Sequence, residues 1–263
     1  MANIWGRTFI VILCAAFFTG CASAPVKEAD TPKPKPLLVG ITPNYPPIIF
    51  KQNKEIKGVE ADLAIRLARD LGRPCQFVEV DWDELIPALM EGKFDIIMSG
   101  MTINEARKVR INFTEPYLKV GLMTLMRAED VSKYNSLSSI KESGATVGVV
   151  KGTTAEVYVR NQFSKTATIR LLLSAGDAVY PLENRRIDLF VNDSPSVIWL
   201  ASQNEGKLRA FLTPFNEDYL GWGIRRDDQD LFLQANAILG SWKADGTLKE
   251  VITRWLPYWK DSN

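Results

Sequence analysis

With 263 residues, the chain is long enough for one large domain or two modest ones with real cores. Lys+Arg 32 against Asp+Glu 31 leave a formal net charge of +1, which gives no support for nucleic-acid binding or a strongly basic membrane surface. Histidine is absent, so the commonest metal ligand and general base is missing, and metal centres and Ser-His or Cys-His catalysis are disfavoured; no metal or cofactor is indicated.

The N-terminus reads as a targeting segment: Arg7, then an apolar run from Phe9 to Phe18 too short for a permanent bilayer span. Phe18-Thr19-Gly20-Cys21 resembles a bacterial lipobox, with Phe18 in place of the usual leucine, and would make Cys21 the acylated N-terminus. Ala22-Ser23-Ala24 is a competing A-x-A site, which Pro25 directly after it should impede. The lipobox is the favoured reading, giving a signal peptide over 1–21. Residues 22–36 hold Pro25, Pro32, Pro34 and Pro36 without apolar periodicity, as expected of a stiff, solvated tether. Cys75 is then the one unmodified cysteine, so no intrachain disulfide can form; it reads as a small buried apolar residue rather than a nucleophile.

The folded body opens with a strand over 37–41 and the turn-rich Thr42-Pro43-Asn44-Tyr45-Pro46-Pro47. Val59, Leu63, Leu67 and Leu71 make one apolar stripe, predicting a helix over 58–72 that stops at Gly72. A strand over 75–80, a helix over 82–90 and a strand over 95–99 follow. From Val131 the alternation restarts, with strands over 146–150, 168–173 and 187–191 and helices over 154–162 and 177–184. Closing helices are expected over 228–242 and 246–255. Alternating strands and helices imply mixed or parallel sheets covered by helices, most economically as two α/β lobes.

The segment from Asp95 to Arg107 carries the most chemistry. Its apolar run Ile96-Ile97-Met98 ends in Ser99-Gly100, then Thr102 and Arg107. A buried parallel strand delivers such residues at its C-terminal end, where open α/β sheets place ligands. Ser99, Thr102, nearby backbone N–H groups and the Arg107 guanidinium could converge on one anion, most simply a carboxylate. Charge-assisted hydrogen bonds of this kind contribute about 1.5–3 kcal/mol each. The alternative is a strand, a polar turn and a surface arginine.

Seven motifs occur in order: Thr42 to Pro47, Gly58 to Leu63, Asp81 to Leu89, the segment through Arg107, Phe113-Thr114-Glu115-Pro116-Tyr117, Val147 to Glu156, and Asp245-Gly246-Thr247. Together they resemble the family 3 bacterial solute-binding proteins, the amino-acid receptors of ABC importers, over about 37–255. The resemblance implies an α/β, two-lobed periplasmic binding protein type II fold with a ligand cleft between lobes and a two-strand hinge. Lobe 1 would comprise 37–126 and 223–263, and lobe 2 residues 127–222. It implies that Arg107 pairs with a ligand α-carboxylate, with Thr102, Thr153 and Thr154 completing that pocket. Asp193 would take the α-ammonium, sharing it with the carbonyl at Ser99 or Gly100. Tyr45 and Trp82 would wall the ligand side chain, with Thr42 in the first loop beside them.

Each residue has a plainer reading. Arg107 could tie the turn to the next segment, Asp193 could cap the helix beginning Ser194-Pro195, and Trp82 or Tyr45 could be ordinary core. Glu60 and Asp62 read as first-turn helix acids, and Lys151 as solvated or lobe-facing. Two departures from the family pattern stand out. Thr42 occupies a loop where receptors for lysine or arginine often carry an acid, and Gly100 stands where other members carry a second serine. The resemblance implies a monomeric, lipid-anchored periplasmic receptor that passes an L-amino acid to an ABC permease without a chemical step. The alternatives are a prephenate or arogenate dehydratase on the same fold, with Asp193 or Glu60 as its acid, and a ligand-sensing module for a signalling receptor.

Overall fold

The structure, a computed structural model, describes residues 1–2 and 34–259. The chain divides into residues 1–33 and 34–263. The expected signal peptide, Cys21 and most of the tether lie outside the described residues, and residues 34–36 adopt no regular structure.

Two five-stranded sheets organise the body. The first runs Cys75–Glu79, Leu37–Ile41, Ile96–Ile97, Gly223–Ile224, Asn112–Phe113. Its first three strands are parallel, while Gly223–Ile224 is antiparallel to both of its neighbours. The second runs Thr168–Leu172, Thr146–Val150, Leu189–Asp193, Leu122–Arg127, Leu208–Phe211, again with three parallel strands followed by antiparallel partners. In each lobe one strand, Leu37–Ile41 or Thr146–Val150, is flanked by two parallel ones, and the C-terminal ends of the three face one region.

The strands read as continuous apolar runs because both faces of each sheet are covered. Leu37, Val39 and Ile41 pack into one core of the first lobe, while Leu38 turns to the opposite face. In the second lobe Leu189 and Val191 enter one core and Phe190 the other, the period of two expected of a strand. The helix Val59–Asp70 buries Val59, Leu63 and Leu67 completely, as its stripe predicts. Gly40 allows the first sheet to be covered this closely, since a Cβ there would lie 2.3 Å from the Phe94 ring.

Two antiparallel strands, Leu118–Val120 and Asp218–Leu220, carry the chain from one lobe to the other and back. By sheet membership Leu122–Arg127 belongs with the second lobe, where it pairs with Leu189–Asp193 and Leu208–Phe211. The chain therefore crosses before Leu122, whereas the sequence placed the break after 126. An apolar strand reads the same in either lobe, and only its partners reveal where it belongs. Arg127, 7% exposed, anchors the end of this strand. It bonds Asp130, Asp188 and the carbonyls of Leu182 and Ile187.

Other boundaries shift for local reasons. Within the expected strand 95–99 only Ile96–Ile97 pairs regularly. Asp95 instead accepts from Leu38 N–H and Arg73, and Gly100 turns the chain at φ +66°. The expected helix over 82–90 is a 3₁₀ turn, Trp82–Glu84, followed by Leu85–Met90. The strand expected over 187–191 runs Leu189–Asp193.

Glu60 lies in the first turn of its helix, but its carboxyl points inward and the residue is 0% exposed. Its Oε2 accepts the Gly100 N–H, and the Tyr117 hydroxyl lies close beside the carboxyl. Burial pushes the carboxyl from 4.5 up to about 8, against the opposing pull of the Gly100 N–H, so the group is protonated at neutral pH. Between those two values the folded chain holds a proton that the unfolded chain has lost. Stability contributed by this group is complete below pH 4.5 and is lost as pH rises toward about 8, at about 1.4 kcal/mol per unit. Glu60→Gln is neutral throughout and keeps an acceptor for Gly100, so it should flatten this fall. Urea denaturation of both proteins from pH 4.5 to 8.5 tests this, and parallel profiles would refute it.

Candidate functional site

The C-terminal ends of the parallel strands meet at a cavity that opens to solvent, with about 520 Å³ of empty space when its mouth is included. All ten ligand-site residues singled out in the sequence line it: Thr42, Tyr45, Trp82, Ser99, Gly100, Thr102 and Arg107 from the first lobe, and Thr153, Thr154 and Asp193 from the second. The cleft is where the switch-point rule for open sheets places ligands.

On the first lobe, Thr42 and Ser99 bond each other at the ends of adjacent strands. Thr42 N–H donates to Ser99 Oγ at 2.9 Å, and Thr42 Oγ1 donates to the Val80 carbonyl at 2.8 Å. The three-stranded ribbon Asn44–Tyr45, Ile49–Gln52, Glu55–Lys57 carries Tyr45 over the cavity. Gly100 is required beneath that ring, because a Cβ there would lie 2.5 Å from Tyr45 Cε1. This explains physically why a serine is missing at this position.

Arg107 sits in the short helix Glu105–Lys108, whose N-cap Asn104 accepts the Arg107 N–H at 2.9 Å. Its Nη1 donates to the Thr102 carbonyl at 2.8 Å, and the guanidinium lies 5.3 Å from the centre of the Trp82 ring. Burial lowers its pKa from the usual arginine value, while Asp193 and Asp218 act in the opposite direction. The fork is therefore fixed, desolvated and charged. Facing it, Thr153 and Thr154 form the N-terminal end of the helix Thr154–Gln162, whose first amides have no intrahelical acceptor. Thr153 Oγ1 donates to the Val150 carbonyl rather than capping that helix.

Asp193 ends the strand Leu189–Asp193 and stands at the N-cap of Ser194–Gln203, but its side chain makes no capping bond. The carboxylate turns into the cleft instead, where Oδ2 accepts from the Tyr45 hydroxyl at 2.8 Å. Oδ1 is buried without a partner. Burial pushes the carboxyl from 3.8 to about 6; the Tyr45 bond and Arg107 pull it down, and Asp218 adds to the rise. Burial, with Asp193 next, drives the Tyr45 phenol well above its usual range. A buried carboxylate oxygen without a donor is costly unless a cation reaches it.

The lobes touch directly around this cavity. Besides Tyr45 and Asp193, Trp82 Nε1 donates to the Gly152 carbonyl at 3.2 Å, and Lys151 Nζ pairs with Asp83 at 2.8 Å. Lys151 is thus lobe-facing. Trp82 joins both of its expected readings, packing against the Leu85 and Leu89 core while one ring face meets Arg107. Asn44, a polar residue of the first loop, also lines the cavity, and the structure adds Val150, Leu173, Ala175 and Asn192. Leu173 and Ala175 follow the strand Thr168–Leu172, and Asn192 precedes Asp193, so the strand-end rule could have found them. Glu60 does not line the cavity and acts through Gly100 from behind.

The arrangement places a cationic fork and a helix N-terminus near one end of a cleft and an unpaired carboxylate oxygen on the opposite lobe. It suits a small molecule carrying both an anion and a cation.

Comparison with known proteins agrees. The model of the bacterial extracellular solute-binding proteins, family 3, matches residues 37–258. The chain is 30% identical over 258 residues to ABC transporter arginine-binding protein 1 of Escherichia coli K12, covering 95% of this chain and 99% of that protein. It is 29% identical over 255 residues to an L-arginine-binding protein of Pseudomonas aeruginosa, covering 94% and 96%. Among solved structures, a putative ABC-transporter binding component of Wolinella succinogenes complexed with lysine superposes with TM-score 0.79 at 33% identity, covering 83% of this chain and 94% of that one. An ancestral amino-acid-binding protein described as a precursor of cyclohexadienyl dehydratase gives TM-score 0.78 at 34% identity, with the same coverage. From the motifs, the two-lobed fold and these matches, the chain belongs to the family 3 bacterial extracellular solute-binding proteins.

Proposed function

We propose that this protein is a non-catalytic periplasmic receptor that binds an L-amino acid in its cleft by hinge closure and delivers it to an ABC permease. The observation that carries the reading is the opposed pair Arg107 and Asp193. They are contributed by different lobes to one cavity, and Asp193 Oδ1 has no partner of its own. The α-carboxylate would bind Arg107, Thr102 and the amides at Thr153 and Thr154. The α-ammonium would bind Asp193, with a backbone carbonyl at Ser99 or Gly100. Tyr45 and Trp82 would cover the side chain. Since the two charged groups sit on separate lobes, a zwitterion meets both only when the lobes are together, which gives the differential affinity that closure requires.

The relatives' amino-acid ligands support this reading. A dehydratase would need an acid protonated at neutral pH and facing the ligand. Asp193, at about 6, is mostly ionised there, and Glu60, at about 8, lies outside the lining. Acylation at Cys21 and the Pro-rich tether would hold the receptor at a membrane surface. Cys21→Ser should then move it from the membrane to the soluble periplasmic fraction; membrane retention by the variant would count against the anchor.

Arg107→Ala should weaken the tightest-binding amino acid of the twenty by about 2–5 kcal/mol, because a carboxylate is left buried without its partner. Calorimetry that found wild-type affinity in this variant would sink the assignment.

The pH dependence follows from Asp193. The free receptor takes up a proton as pH falls through about 6, and the ligand ammonium must displace it. Affinity should hold above pH 7 and fall below 6, toward tenfold per pH unit. Asp193→Asn should bind weakly with a flat profile. A wild-type affinity constant from pH 7.5 to 5 would contradict the ammonium's place at Asp193.

A further inference from the structure

We propose that the ligand is an amino acid whose side chain carries no charge, recognised with the help of the Asn192 amide. This inference rests on the assignment of the α-carboxylate to Arg107 and the α-ammonium to Asp193.

The charge inventory of the cavity carries the argument. Arg107 and Asp193 are its charged lining residues, each within the other's electrostatic reach, and they neutralise one another across the cleft. A zwitterion satisfies both and leaves nothing over. A guanidinium or ammonium on the side chain would need a second acid, and the nearby acids are engaged elsewhere. Asp83 holds Lys151 at 2.8 Å, and Asp218 accepts from Asn216 at 2.7 Å. Glu156 accepts the Gly152 N–H and pairs with Arg160. Glu60 sits behind Gly100 beside the Tyr117 hydroxyl and lies outside the lining. None of these four lines the cavity.

A carboxylate on the side chain fares no better. Lys151 is spent on Asp83, and Arg107 is the one lining cation among the described residues.

The rest of the wall is neutral, and part of it is already hydrogen-bonded within the protein. The Thr42 hydroxyl and N–H are used on Val80 and Ser99, and the Thr153 hydroxyl on Val150. Val150, Leu173 and Ala175 supply apolar surface from the second lobe. An unpaired charge drawn into such a wall would lose its hydration without compensation. Asn192 combines deep burial with an amide that is free to meet a ligand. It is 6% exposed, lines the cavity beside Asp193, and its amide makes no hydrogen bond to protein among the described residues. An amide offers both donor and acceptor, the complement of a neutral polar side chain such as a carboxamide or hydroxyl. The sequence relatives named for arginine do not fix the ligand here, because the lining charge of this chain is its own.

The experiment measures affinities of wild type and Asn192→Asp at pH 7.5 for glutamine, serine, leucine, arginine, lysine and glutamate, by calorimetry with thermal shift as a second readout. In wild type, at least one neutral amino acid should bind tenfold or more tighter than arginine, lysine and glutamate. Asn192→Asp adds an acid to the lining and should shift the arginine-to-glutamine affinity ratio at least tenfold toward arginine, while its own unliganded melting temperature shows that it folds. Arginine, lysine or glutamate matching or exceeding every neutral ligand in wild type would overturn the inference and leave the amino-acid receptor intact. An unchanged ratio in Asn192→Asp would overturn the role of Asn192. Should none of the six bind, the remaining fourteen amino acids are measured, and binding of none of the twenty by wild type would overturn the receptor reading, and this inference with it.

Discussion

The hydrogen bond from Tyr45 to Asp193 is the constraint around which the cleft is arranged. It joins the ribbon after the first strand of one lobe to the last residue of a strand in the other, at 2.8 Å. To make it, Asp193 must forgo the capping bond its position invites, and Gly100 must lack a side chain so that the Tyr45 ring can settle. One carboxylate oxygen is thereby committed and the other left facing the cleft. The bond also supports the ionised form of a buried acid against the pull of burial.

The fold was legible because each parallel strand is a short apolar run between turn residues and each covering helix carries a stripe. Val59, Leu63 and Leu67 needed no partner to be read as buried. Ser99, Thr102 and Arg107 could be read from the end of a strand, where side chains converge, whereas Thr42, Tyr45, Trp82, Gly100, Thr153, Thr154 and Asp193 came from the family resemblance; all of them line the cavity. What sequence could not supply was decided by groups distant along the chain. Glu60 has the local signature of a solvated first-turn acid, and only the Gly100 N–H, 40 residues on, draws it into the core. Leu122–Arg127 is equally apolar whichever lobe it joins, and its assignment waits on Leu189–Asp193 and Leu208–Phe211. Whether Asp193 caps a helix or faces a ligand is likewise a matter of which rotamer Tyr45 rewards.

Behind the cleft, Glu60 and Gly100 show how an uncharged acid can serve as a fixed acceptor. A protonated carboxyl takes the amide hydrogen of the residue that carries the turn, at the base of the Tyr45 ring, without adding charge to the site. The cleft keeps its electrostatic balance while its floor is held in place from inside the lobe.

The pair Lys151 and Asp83 stands at the rim, with side chains 58% and 51% exposed. An ion pair so open to water contributes about 0.2–1 kcal/mol and weakens as salt is added. Because it is made by protein atoms alone, it biases the joined lobes equally for every solute and cannot discriminate among them. Its modest size therefore matters: under the proposed hinge closure, a stronger rim would hold the lobes together with the cleft empty, whereas this one would leave that balance to be tipped by what the cleft holds.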